Sequence, residues 1–130
     1  MGVRLKRLSC LCHAALIAAI VLSGGLWACA KLPVMKPDVP KVLNGAVRFT
    51  VLAPGAKQVF LVGSFNGWTR GATPMTIVSG SALWTVDVPL KEGEYTFMYL
   101  IDGTRWMTPP LAEEFVTDGF GQANGVVIVR

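Results

Sequence analysis

Val59-Phe60-Leu61-Val62-Gly63-Ser64-Phe65-Asn66-Gly67-Trp68 is the stretch that decides the fold. Gln58 to Val62 is apolar enough for a central strand, Gly63 ends it, and a short polar turn then presents a large aromatic side chain. On the N-terminal side, across the Ala53-Pro54-Gly55 turn, Val47, Phe49 and Val51 alternate with Arg48 and Thr50, the period of a half-buried strand. On the C-terminal side, Met75 to Val78 is a further run, and Trp84, Val86 and Val88 alternate with Thr85 and Asp87. After a turn at Lys91-Glu92-Gly93, the residues Tyr95, Phe97, Tyr99 and Ile101 share one face and Thr96, Met98, Leu100 and Asp102 the other. Val126 to Val129 closes the series. No stretch keeps a helical period with caps, and there is no internal repeat. About seven short strands with turns every 8 to 12 residues predict an all-β, immunoglobulin-like sandwich. Roughly 90 residues bury enough surface to fold without disulfides and leave little volume for a deep active site.

The first thirty of the 130 residues have a different character. Arg4, Lys6 and Arg7 precede the uninterrupted apolar run Ala14 to Leu22, which softens into Ser23-Gly24-Gly25, the order of a signal peptide. The run falls short of the about 20 apolar residues a spanning helix needs. Two processing signals overlap at its end. Leu26-Trp27-Ala28-Cys29 resembles a bacterial lipobox, with Cys29 as the acylated new N-terminus, although Trp27 is bulkier than usual there; Ala28-Cys29-Ala30 also fits ordinary signal peptidase. Lipidation at Cys29 implies a protein held on a bacterial membrane, facing the periplasm or exterior; the other site implies a soluble periplasmic or secreted one. The expected organisation is a signal peptide over 1–29, a proline-rich linker over 30–41 carrying Pro33, Pro37 and Pro40, and a sandwich over 42–130.

Charge and chemistry exclude several classes. The formal net charge of +4 comes wholly from the leader and linker, because from Val42 onward six basic residues face seven acidic ones. That balance argues against a nucleic-acid footprint, which needs clustered lysine and arginine. Cys10, Cys12, Cys29 and the single histidine His13 all precede the sandwich, which therefore has no thiol nucleophile, no disulfide and no imidazole base or metal ligand. Glu113, Glu114 and Asp118 raise the question of a glycosidase, whose two carboxyl groups stand about 5 to 9.5 Å apart across a cleft. They sit in one short loop and read as solvated charges.

The Gly63 to Trp68 segment resembles the G-S-F-N-x-W signature of carbohydrate-binding module family 48, early-set domains found in the AMP-activated protein kinase β subunit and before the catalytic domains of branching and debranching enzymes. The resemblance continues in order through Val47 to Ala53, Pro74-Met75, Leu83-Trp84, Gly93-Glu94-Tyr95, Leu100 to Gly103, Trp106 and Asn124 to Ile128. It implies an early-set sandwich without catalysis that contacts an α-glucan-like polysaccharide, takes no cofactor, and leaves chemistry to an enzyme partner. Glycogen-binding members use two tryptophans, a lysine and an asparagine; by position these are Trp68, Trp106, Met98 and Asn124, with Phe120 and Gln122 where the family places an apolar and a polar side chain beside the glucan. An indole suits the apolar face of a glucose ring, and an amide both donates to and accepts from hydroxyls. Two departures stand out. Met98 offers a thioether where the family supplies a charged donor, and Trp106-Met107-Thr108-Pro109-Pro110 replaces the usual Asp-Pro after the tryptophan, with one residue more in the preceding turn, which would re-aim Trp106.

Each candidate has a plainer reading. Trp68 and Trp106 are either ligand contacts or core residues, while Trp84, Tyr95, Phe97 and Tyr99 are core. Asn124 before Gly125 is either a turn residue or a ligand, and Asp102-Gly103 is a turn. Met98 among aromatic neighbours reads also as part of an exposed apolar patch that meets another protein. A structural or protein-interaction role for the whole domain is therefore the alternative function.

Overall fold

The computed structural model describes residues 35–130. The leader, Cys29 and the first part of the linker lie outside the described residues. Nine strands are formed among those described: β1 (Lys41–Leu43), β2 (Ala46–Leu52), β3 (Val59–Gly63), β4 (Thr76–Ile77), β5 (Leu83–Val88), β6 (Gly93–Ile101), β7 (Arg105–Met107), β8 (Glu114–Thr117) and β9 (Ala123–Val129). They make two antiparallel sheets. One has the order β1-β2-β5-β4, the other β3-β6-β9-β8, with β7 also paired to β6. This is the all-β sandwich that the alternating runs predict.

The inner faces follow from period-two alternation. Val47, Phe49 and Val51 of the first sheet meet Leu61, Phe97, Tyr99, Ile101 and Val127 of the second, all buried. Aromatic rings hold the centre in edge-to-face contact: Phe49 to Phe97 at 5.0 Å between centroids and Phe97 to Tyr99 at 5.7 Å. Such pairs add about 0.5–1.5 kcal/mol each beyond their buried area. The Tyr99 hydroxyl donates to the Thr50 carbonyl at 3.2 Å, a buried bond that crosses from one sheet to the other. Trp84 is buried as expected, while Tyr95 is half-buried at the edge of the same cluster.

β6 is the strand on which the site rests. Gly63 of β3 and Gly125 of β9 both pair with Phe97, so they flank β6 on opposite edges. β9 pairs with the first half of β6 and β7 with its last three residues, with Leu100 opposite Trp106. Gly125 is where the backbone must approach closely: a Cβ there would lie 2.8 Å from Pro109 Cγ and 2.9 Å from the Phe97 ring. Asn124 and Gly125 are therefore strand residues, which corrects the turn reading of that pair. The glycine is there for space, not for a left-handed turn.

Two short strands, β7 and β8, and the strand β1 at the linker boundary lie outside the expected runs. They are three or four residues long and mostly exposed, so they carry no alternation to read. β1 begins at Lys41, and just before it the Asp38 amide donates to Thr50 Oγ1 at 3.0 Å. The free edge of β3 is covered by the segment around Pro74, where Leu61 N–H donates to Thr73 O at 2.9 Å and Met75 N–H to Val59 O at 2.8 Å. A proline within a covering segment blocks further strand addition.

Candidate functional site

The turn after β3 is a single 3-10 turn over Ser64–Asn66, and each residue of the Gly63–Trp68 signature has a mechanical task. Gly63 is fully extended, and a Cβ there would lie 2.5 Å from the Thr96 carbonyl oxygen and 2.6 Å from the Phe65 ring, so only glycine fits. Ser64 Oγ accepts the Thr96 N–H at 3.1 Å and ties the turn to β6. Phe65 drops onto the core, 5.9 Å from Phe49 and 6.3 Å from Tyr95. Asn66 braces the turn from inside: its Oδ1 accepts the Gly63 N–H, and its Nδ2 donates to the Leu61 carbonyl and to Thr73 Oγ1, all at 3.1 Å. Gly67 and Trp68 are both left-handed, at φ 65° and 58°. That conformation is ordinary for glycine and costs a bulky aromatic about 1–2 kcal/mol. The Trp68 N–H closes the turn on the Gly63 carbonyl at 2.9 Å, and the residue is left 39% exposed.

Trp68 faces an open cleft of about 250 Å³ whose lining also includes Met98, Trp106, Asp118, Gln122 and Asn124. Five of the six residues picked from the sequence thus converge on one place. The strand registers explain this. Phe97 and Gly125 face inward, so their neighbours Met98 and Asn124 face outward, and Trp106 lies across from outward-facing Leu100. The extra residue before Trp106 is absorbed in the Ile101–Arg105 turn, whose Asp102 and Gly103 are left-handed, and β7 still delivers the indole to the cleft. Trp106 thus lines the same cleft as Trp68. Phe120 is the exception, standing 92% exposed on the loop beside the cleft rather than lining it.

Met98 requires a correction. It lies on the outward face, as alternation predicts, but only 4% of it is exposed, so it is the floor of the cleft and not an exposed apolar patch. Val62 opposite it and Leu100 beyond it are equally covered. Val62, Met98 and Leu100 thus form an apolar layer outside the main core, and Met98 is the part of it that lines the cleft.

Two residues at the site escaped the sequence reading. Arg70 places its guanidinium carbon 5.3 Å from the centroid of the Trp106 ring, a cation–π contact that restrains the indole. Asp118, taken as a solvated charge, is half-buried in the lining, and its Oδ1 accepts the N–H groups of Phe120 at 2.7 Å and Gln122 at 3.2 Å. An aspartate followed two residues on by an amide it can bond is a local turn signal that was legible in Asp118-Gly119-Phe120. The other acidic residues nearby are accounted for differently: Glu113 accepts the Ile128 N–H and lies 3.6 Å from Arg130, and Glu114 is an exposed residue of β8. Among the described residues there is no group of three or more histidine, cysteine, aspartate or glutamate side chains placed to hold a metal.

A sandwich that presents two indoles and two amides over an apolar floor agrees with what the comparisons with known proteins find. The family model for the glycogen recognition site of AMP-activated protein kinase matches residues 47–130. The chain belongs to this family. Similar proteins include the 5'-AMP-activated protein kinase subunit beta-1 of Sus scrofa, 36% identical over 76 residues, which is 58% of this chain and 57% of that one. The Homo sapiens subunit is 34% identical over the same length, 58% of this chain and 26% of its own. The 1,4-alpha-glucan branching enzyme GlgB of Halothermothrix orenii is 37% identical over 70 residues, 51% of this chain and 11% of the enzyme. The chain thus spans from about a tenth to a little over half of these relatives. The positions of all the cleft-lining residues, Trp68 to Asn124, fall inside the range matched by the family model.

Proposed function

We propose that this chain is a non-catalytic carbohydrate-binding module for an α-glucan-like polysaccharide, exported and tethered to a bacterial membrane through a lipid on Cys29. The observation that carries the binding half is the convergence of Trp68 and Trp106 on one cleft with Gln122 and Asn124 over the floor made by Met98. An open cleft between two indoles takes the apolar faces of consecutive sugar rings, while the amides serve their hydroxyls. The left-handed Trp68 supports the same reading, because strain retained at an exposed aromatic points to a use for that side chain. Chemistry on the glucan falls to an enzyme partner.

Electrophoresis through gels containing glycogen tests the binding half. Retardation of the wild type, lost in Trp68→Ala, is the expected result. Normal mobility of the wild type would instead favour the second reading, an early-set domain that has given up glucan and meets a protein, to which the loss of a charged donor at Met98 points. The tether rests on the Arg4-Lys6-Arg7 region, the apolar run and Cys29 directly after Ala28. Two or more acyl chains at about 0.8 kcal/mol per buried CH₂ hold a protein stably on a bilayer. Membrane fractionation of Cys29→Ala should move the protein to the soluble fraction; unchanged retention would end the lipid-anchor reading.

A further inference from the structure

The polar groups of the cleft are unequal in charge. Gln122 and Asn124 are neutral amides, Asp118 is a carboxylate, and no lysine or arginine is among the lining residues. The cation nearest by contact, Arg70, is held against the Trp106 ring and is not part of that lining. Asp118 is also oriented in advance. Both hydrogen bonds from its own loop arrive at Oδ1, and Oδ2 holds no hydrogen bond or ion pair among the described residues. A half-buried carboxylate that lines a cleft with two indoles, one oxygen fixed and the other without a partner, can accept a hydrogen bond from a hydroxyl. Hydrogen bonds from hydroxyls to an ionised acceptor are shorter than neutral ones and roughly twice as strong.

We infer that Asp118 is a sugar-binding residue that accepts glucan hydroxyls through Oδ2 and makes the cleft select neutral over anionic polysaccharide. This rests on the glucan-binding reading above and deepens it by naming the class of glycan. A carboxylate or phosphate on the sugar would be brought toward a like charge with no cation in the lining to offset it, and like-charge approach in a partly desolvated site works against binding. In this cleft the position of the missing lysine is apolar and the charged hydrogen-bonding role lies with an acid on the opposite loop.

The substitution Asp118→Asn separates the two oxygens. The amide Oδ1 still accepts from Phe120 and Gln122, so the loop keeps its shape, while the free acceptor becomes a donor. The full chain, purified in a detergent without a sugar headgroup, is measured by affinity electrophoresis against glycogen and against carboxymethylated glycogen. The wild type is expected to bind glycogen the more tightly of the two. In Asp118→Asn, glycogen affinity should fall about five- to tenfold, the difference between a charged and a neutral acceptor, and the preference for the neutral polymer should shrink. A wild type that binds glycogen, with Asp118→Asn showing the same affinity and the same preference, would overturn the role of Asp118 and leave the glucan-binding reading standing. No retention of the wild type on either polymer would overturn both.

Discussion

Asn66 does as much for the site as Trp68 does, although it does not line the cleft. Three of its hydrogen bonds at 3.1 Å hold the turn that seats the indole, so Asn66→Ala leaves the Gly63 N–H and the Leu61 carbonyl without their side-chain partner. The expected cost is about 1–3 kcal/mol, read as a lower urea midpoint, together with weaker retention on glycogen. The signature G-S-F-N-x-W was legible as a family mark, but its division of labour was not: four of its residues build the turn and one is displayed. Met98 teaches the complementary lesson. Its face follows from alternation, whereas its burial depends on what Trp68, Trp106 and the loop at Asp118 place above it, residues up to thirty positions away on either side. Met98→Lys would bring an ammonium into the cleft that Asp118 also lines, and should raise glucan affinity several-fold while costing roughly 1 kcal/mol of stability for the buried stem and charge. Paired titrations and melts of that variant check both signs.

At the scale of elements, the site is an outcome of how β6 is flanked. β7 and β9 share one edge of it and β3 takes the other, which brings Trp106, Asn124 and the turn bearing Trp68 around the outward face at Met98. β6 itself was readable from the alternation over Tyr95 to Asp102; β7 and β8 were not, because three or four residues are too few to show a period. Gly125→Ala should be destabilising by about 1–3 kcal/mol, since its Cβ would meet the Phe97 ring and Pro109, and it should disturb the neighbouring Asn124 as well. Chemical denaturation gives the first effect and glycogen retardation the second. Tyr99→Phe removes the bond from one sheet to the other and leaves the Thr50 carbonyl without that donor, for an expected loss of about 1 kcal/mol with the fold and the cleft intact.

For the molecule as a whole, a few carboxylates outside the core set how stability responds to acid. Asp87 is held below its ordinary value first by hydrogen bonding to Arg48, its cross-strand partner at 2.7 and 2.8 Å. Asp102 is lowered by the N–H groups of Gln58 and Lys57, which it accepts at 3.0 and 2.8 Å, and Asp38 by its bond to Lys41 and by the Val39 N–H. Depressed folded values mean that the unfolded chain takes up protons first, so the contribution is complete at neutral pH. It is lost as pH falls below the unfolded value near 3.9 and through the lower folded values. Thermal melts between pH 7 and 2 should show that decline, and Asp102→Asn, which keeps an acceptor for both amides, should flatten part of it. Glucan binding in the cleft is read by tryptophan fluorescence during titration with a maltooligosaccharide. The expected result is a saturable change that survives Trp84→Phe and vanishes in the Trp68→Phe, Trp106→Phe double variant. A wild type with no change, or a change that persists in the double variant, would contradict a glucan site between these indoles.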